Sequence, residues 1–246
     1  MKPIETKTDH THILYDGELI ENVGPQIFDI EHWKKKNALI GFADGRGTTY
    51  FVRIRDEDYV LRHYRRGGAM TRLTQDLYLW MGVEKSRSWA EWRLLARLKE
   101  MGLPVPQPLA AQVSRVGLFC RADILIKRFI GAEPLAEKLK TGRQSARLWE
   151  SVGACIRRFH ELGLDHQDLN ASNILCDEQQ VYLIDFDKCL LRSSIGTGWK
   201  ENNLARLHRS LVKFKSRLID FHFSETDWEK LLSGYREPGN ITLKEY

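Results

Sequence analysis

Two polar clusters set into apolar sequence, HQDLNASNIL at 166–175 and LIDFD at 183–187, constrain this chain more than any other feature. The first follows residues 145–162, where Leu148, Val152, Ile156 and Phe159 recur at helical spacing before Gly163 ends the helix. Asn173–Cys176 and Val181–Phe186 then read as two short strands joined by the turn DEQQ. Asp185 closes the second strand, an apolar setting where a carboxylate is costly unless a cation coordinates it. Asp168, Asn173 or Asp185 taken singly is an ordinary cap or turn residue. All three at this spacing imply a site made of two carboxylates and an amide oxygen.

The setting of these clusters narrows the class of protein. A chain of 246 residues, 42% hydrophobic and 29% charged, suffices for one large domain or two small lobes. No apolar run approaches the roughly 18–20 residues that span a bilayer. The polar start MKPIETKTDHTH lacks the apolar centre of a secretory signal, so the expected compartment is the cytoplasmic side. Cys120, Cys155, Cys176 and Cys189 form no C-x-x-C pair, which argues against a zinc site or a disulfide framework. The net charge of +5 points to an anionic partner. No nucleic-acid-binding module is visible, and no obligate protein partner is inferred.

Residues 38–64 read as strands, ALIGFADGRGTTYFVRI and then DYVLRHY. A helix is expected near 88–101, with Leu94, Leu95, Leu98 and Met101 at helical spacing and Gly102 and Pro104 as its stop. Ser88 followed by Glu91 is a capping-box pattern at its start. Leu118–Ile130 returns to strand-like composition, and from Asn203 onward Leu204, Leu207, Leu211, Phe214 and Leu218 are spaced for a helix. This order predicts an α+β chain: a sheet-rich lobe with one helix over 1–126, a hinge at 127–131 and a mostly helical lobe over 132–246.

The pattern H-x-D-L-x-x-x-N at 166–173, followed by the I-D-F triplet, resembles the catalytic and metal loops of protein kinases and their small-molecule relatives. The resemblance implies a protein-kinase-like bilobal fold and transfer of a phosphoryl group from ATP with Mg²⁺. Asp168 then takes the role of the catalytic carboxylate, Asn173 and Asp185 that of metal ligands, and His166 that of a scaffold residue. Upstream, Gly45-x-Gly47 lies between two strands, where main-chain N–H groups could approach nucleotide phosphates, although a lone G-x-G is also an ordinary turn. Arg62 stands where the family carries a lysine. Glu91 is either the helix glutamate that pairs with it or the capping partner of Ser88. Gln167 and Asp187 depart from the kinase pattern, which keeps a non-catalytic pseudokinase in view. The roughly sixty residues after Asp187 leave no room for an activation segment.

Residues 188–217 carry Lys188, Arg192, Lys200, Arg206, Arg209, Lys213, Lys215 and Arg217 against Glu201 alone. An anionic acceptor entering an acidic site needs such cations, and Lys188, Arg192, Arg206 and Arg209 are the candidates for binding it. The last three basic residues, Lys213, Lys215 and Arg217, read better as a solvated face. GFADGRGTTYFV, YVLRHYRRGG at 59–68, HQDLNASNIL, LIDFDK and NLARLHRSLVKF at 203–214 are together similar to the 3-deoxy-D-manno-octulosonic acid (Kdo) kinases. These belong to a family that also holds lipopolysaccharide-core heptose kinases. The resemblance implies phosphorylation of the 4-hydroxyl of Kdo on a lipid A precursor, by a peripheral protein on the cytoplasmic face of the bacterial inner membrane. Arg65, Arg66 and Arg72, close to Leu73 and to Tyr78–Met81, could meet lipid headgroups; the plainer expectation is that Leu77–Met81 belongs to the core.

Overall fold

The computed structural model describes residues 1–43, 49–65, 76–192 and 198–237; Gly45, Gly47, Arg66, Arg72 and Leu73 lie outside them. The chain divides into two compact units, Met1–Ile130 and Gly131–Tyr246.

The first unit is built on an antiparallel sheet. Its strands are β1 (Pro3–Lys7), β2 (Thr11–Asp16), β3 (Leu39–Ala43), β4 (Thr49–Ile54), β5 (Glu57–His63), β6 (Tyr78–Leu79), β7 (Pro108–Val116) and β8 (Phe119–Lys127), with helices α1 (Ile30–Lys35) and α2 (Arg87–Glu100) between them. The spatial order is β1-β2-β7-β8-β5-β4-β3, and β6 adds to β8. One face buries Ile13, Tyr15, Leu61, Leu109 and Leu125 with Trp33 of α1. Side chains alternate along a strand, so Arg62 and its cross-strand partner Ile124 point to the opposite face.

Helix α2 packs on β7 through Trp89, Trp92, Leu95 and Leu98, all essentially buried. Each contributes roughly 1.5–3 kcal/mol by leaving water. The buried stripe is therefore rotated from the leucine-based expectation, because tryptophan offers more apolar area: Met101 is 37% exposed. The capping box expected at Ser88 does not form. Ser86 is the N-cap, and the Ser88 hydroxyl donates to the carbonyl of Gln112 at 2.9 Å, which fixes the helix to the sheet. The expectation that Leu77–Met81 is core also fails, since Leu79 and Met81 are 58% and 62% exposed.

The second unit contains β9 (Glu133–Pro134), α3 (Leu135–Thr141), α4 (Ala146–Glu161), β10 (Leu164–His166), β11 (Ile174–Cys176), β12 (Val181–Leu183), β13 (Cys189–Leu191), α5 (Gly198–Arg217) and α6 (Glu225–Arg236). Ser145 caps α4 by accepting from the Leu148 N–H, and Trp149, Val152, Ile156 and Phe159 form its buried face. Gly163, at φ +80°, turns the chain out of the helix, and its α-carbon faces the Arg192 carbonyl so closely that a side chain would clash. Strands β11 and β12 pair antiparallel, as do β10 and β13. Among the described residues no helix is long and apolar enough to cross a membrane.

Candidate active site

The loop from His166 to Asn173 begins where β10 ends. Asp168, Asn173 and the end of β12 are joined by a closed set of hydrogen bonds. The side-chain amides of Asn170 and Asn173 both donate to the Asp168 carbonyl, at 2.8 and 3.0 Å. The Asn173 carbonyl accepts from the Ile184 N–H at 3.0 Å, and His166 Nε2 donates to the Ile184 carbonyl at 3.0 Å. The backbone just before Asp185 is thus held from two sides by the loop that carries Asp168. Asp185 itself has φ +65°, a left-handed conformation uncommon outside glycine, and strain of this kind persists only where the surroundings enforce it.

His166 is fully enclosed, and burial lowers its imidazole pKa; the bond to Ile184 and the fields of Asp185 and Asp168 oppose the shift without reversing it. A neutral ring with its proton on Nε2 is the form this bond needs. His166 therefore braces the loop, and the nearby Phe186 ring, 5.4 Å away, fills the space behind it.

A second network holds the start of the loop. The buried Asp165 carboxylate accepts from Asn203 Nδ2 at 2.8 Å through one oxygen, and from Arg192 Nε and Nη2 at 3.0 and 2.8 Å through the other. Asn203 in turn accepts from the His166 N–H at 2.8 Å. Arg192, expected to bind acceptor, is thus committed to Asp165. The sequence pattern does not single out Asp165 or Asn203 as site residues; the one available signal is an acid between the apolar Leu164 and the motif that starts at His166.

Beside Asp168 lies a cavity of about 520 Å³, lined by Gln167, Lys188, Arg192, Trp199, Arg206 and Arg209 among others. Trp199, Asn202, Arg206 and Arg209 recur every three or four residues along α5 and, with Asn203 beside Asn202, present one stripe to it. Arg206 Nη1 lies 3.5 Å from Asp168 Oδ1, with the two side chains 50% and 25% accessible. Lys213, Lys215 and Arg217 are exposed and do not line it. Asp165 is already matched by Arg192, which leaves Lys188, Arg206 and Arg209 facing the single carboxylate of Asp168. The cavity is therefore suited to an anion.

As metal donors, Asp185 and Asn173 offer only oxygens, the chemistry a hard divalent cation prefers. With its –NH₂ spent on the Asp168 carbonyl, Asn173 has Oδ1 remaining as the donor atom. Among the described residues no cluster of three or more His, Cys, Asp or Glu could hold a metal. Mg²⁺ bound together with nucleotide phosphates needs just one or two protein ligands, so this donor set fits it.

In the first unit, Arg62 on β5 is ion-paired through Nη2 with Glu91 of α2, whose carboxylate is 1% accessible against 20% for the arginine. The buried Tyr64 hydroxyl donates to the same Glu91 oxygen, and burial followed by the Glu91 charge raises its pKa well above the usual phenol value. Glu91 is thus a partner of Arg62 and does not cap α2. Tyr64 was not foreseen, since its partner lies 27 residues away.

An antiparallel sheet with its helix, followed by a helical unit carrying H-x-D-L-x-x-x-N locked to an I-D-F strand end, is the α+β architecture of protein-kinase-like phosphotransferases. The solved structure of WaaP in complex with acyl carrier protein has the same fold, with a TM-score of 0.57 over 92% of this chain and 89% of that one at 15% identity. The chain belongs to the lipopolysaccharide kinase (Kdo/WaaP) family, whose family model matches residues 30–235. Among its relatives, the 3-deoxy-D-manno-octulosonic acid kinase of Photobacterium profundum is 41% identical over 233 residues, spanning 94% of this chain and 98% of the relative. The Vibrio vulnificus enzyme of the same name is 41% identical over 226 residues, 92% of this chain and 94% of the relative.

Proposed function

We propose that this protein transfers the γ-phosphoryl group of Mg²⁺-ATP to the 4-hydroxyl of Kdo carried by a lipid A precursor, during assembly of the lipopolysaccharide inner core. The observation that carries the reading is the lock between the Asp168 loop and the strand end of Asp185, set beside a cation-lined cavity. Asp168 accepts the hydrogen bond of the attacking hydroxyl and orients it for in-line transfer. Arg206 and Arg209, with Lys188, take the acceptor carboxylate, and Trp199 offers an apolar face to the sugar ring. Arg62, fixed by Glu91 and Tyr64, binds phosphate oxygens of the nucleotide. Asn173 and Asp185 would hold Mg²⁺, which when bound offsets the charge on the phosphate oxygens. A lipid-linked acceptor places the protein at the cytoplasmic face of the inner membrane as a peripheral protein.

Incubation with Mg²⁺-ATP and Kdo-bearing lipid A precursor, read by mass spectrometry, is expected to show one phosphate added to the Kdo residue. A protein that phosphorylated only heptose-bearing acceptors would keep the family and lose this acceptor. Arg206→Gln should raise the acceptor KM while leaving the ATP KM in place; equal KM values for wild type and variant would remove Arg206 from acceptor binding.

A further inference from the structure

Strand β6 and the turn between β7 and β8 come together at one end of the first unit's sheet. Leu79 is paired with Phe119, and Phe119 with Val116, so the three side chains stand in a row on one face. They are 58%, 41% and 44% exposed. Leu118 in the turn is 73% exposed and Met81, just past β6, 62%. The Trp80 N–H donates to the Leu118 carbonyl at 3.0 Å, which fastens the two segments to each other. Single exposed apolar residues are commonplace, but five on one rigid tip are not.

The charges around the tip favour an anionic surface. Lys85, Arg87 and Arg115 stand near it in the strand register and in sequence. The neighbouring acids are already engaged, Asp76 by Arg121 at 2.6 Å and Glu84 by Arg93 at 3.1 Å. The guanidinium of Arg115 sits 5.8 Å from the Trp80 ring, and its Nε donates to the Gly117 carbonyl at 3.0 Å, which places a cation beside the apolar row. An indole with a cation beside it is what the boundary between headgroups and acyl chains accommodates.

We propose that the tip formed by Leu79, Met81, Val116, Leu118 and Phe119 inserts shallowly into an anionic bilayer. This surface rests on the reading of a lipid-linked acceptor, since an enzyme without a spanning helix among its described residues must otherwise meet such an acceptor by collision alone. The apolar side chains enter beneath the headgroups, and the surrounding cations remain at phosphate level.

The test compares wild type with the variant Leu79→Ser/Met81→Ser/Leu118→Ser, whose sites are exposed enough to leave the thermal midpoint in place. Flotation with phosphatidylcholine vesicles containing phosphatidylglycerol is expected to carry wild type upward, and pure phosphatidylcholine much less. The triple variant should bind the mixed vesicles about tenfold more weakly. It should phosphorylate a water-soluble, deacylated Kdo acceptor at the wild-type rate, yet lose rate on vesicle-borne acceptor. Equal flotation of the two proteins, or no flotation of wild type, overturns the proposal. So does a wild-type dimer that the triple change dissociates without altering flotation, because the tip is then an interface between copies. If neither protein phosphorylates the soluble acceptor while flotation differs as stated, the tip stands and the assigned acceptor falls.

Discussion

Arg62 on β5 has two partners in the structure, Glu91 and Tyr64. A guanidinium can grip phosphate oxygens bidentately, which makes arginine chemically workable in the proposed role. Arg62→Ala is expected to raise the ATP KM about tenfold or more, the worth of a charge-assisted contact, and Arg62→Lys to recover most of it. Steady-state kinetics at varied ATP checks this, and an unchanged KM in the alanine variant would move the phosphate grip elsewhere. At this scale the sequence was most informative where chemistry is compressed: Asp168, Asn173 and Asp185 fall within eighteen residues. Asp165 and Asn203 are 38 residues apart and Tyr64 and Glu91 are 27 apart, so no local pattern pairs them.

Elements show the same limit through two similar patterns with different outcomes. Ser88 and Glu91 have capping-box spacing but sit inside α2, because Ser86 already starts the helix and Glu91 is drawn to Arg62. Ser224 and Asp227 have the equivalent spacing and do form the box at the start of α6, with the Ser224 N–H donating to Asp227 Oδ2 at 2.8 Å. The spacing permits a cap; the surrounding packing decides whether it forms.

Helix α6 then packs on α4 through glycine. A β-carbon on Gly153 would stand 2.0 Å from the Leu231 carbonyl oxygen, and one on Gly234 would stand 2.1 Å from that of Glu150. Backbone cannot move aside as a side chain can, so Gly153→Ala must push the helices apart. A cost of about 3 kcal/mol or more is expected, against a near-neutral Ser151→Ala on the exposed side of α4. Urea unfolding measures both; equal midpoints would show that the contact is looser than the geometry indicates.

For the molecule as a whole, the buried His160 and the half-buried His63 set opposite pH limits on stability. His160, enclosed against Trp199 and hydrogen-bonded to the Tyr235 hydroxyl at 2.8 Å, has its pKa lowered to about 4, chiefly by burial. The unfolded chain therefore takes up a proton near 6.5 that the folded chain refuses. The stabilisation is complete above that pH and is lost as pH falls from about 6.5 towards 4, by an amount on the order of 3 kcal/mol. His63 works in the other direction: its hydrogen bond to Asp123 at 2.6 Å raises its pKa, so its contribution is complete below about 6.5 and fades as pH rises through the raised value. His160→Asn should flatten the acid side of the stability curve followed by tryptophan fluorescence. An acid limb as steep as that of the wild type would assign the effect to other groups.

The order of elements, strands first and then mostly helices, was legible because hydrophobic periodicity is local; the expectation of one helix in the first part missed the six-residue α1, which is too short to show a period. The sheet was legible only in part. Strand β2 joins β7 across a separation of 103 residues at Thr11 and Ser114. The pairing of β10 with β13 rests on three-residue strands too short to carry a period.

The proposed transfer depends on Asp168 as the carboxylate that receives the acceptor hydroxyl. Its most direct test is the rate of phosphate transfer from Mg²⁺-ATP to Kdo-bearing lipid A precursor by wild type and by Asp168→Asn, with nucleotide binding measured in parallel. One phosphate on Kdo is expected for wild type, and for the variant a loss of about a hundredfold to ten-thousandfold with ATP still bound. Transfer by Asp168→Asn at the wild-type rate would contradict that role.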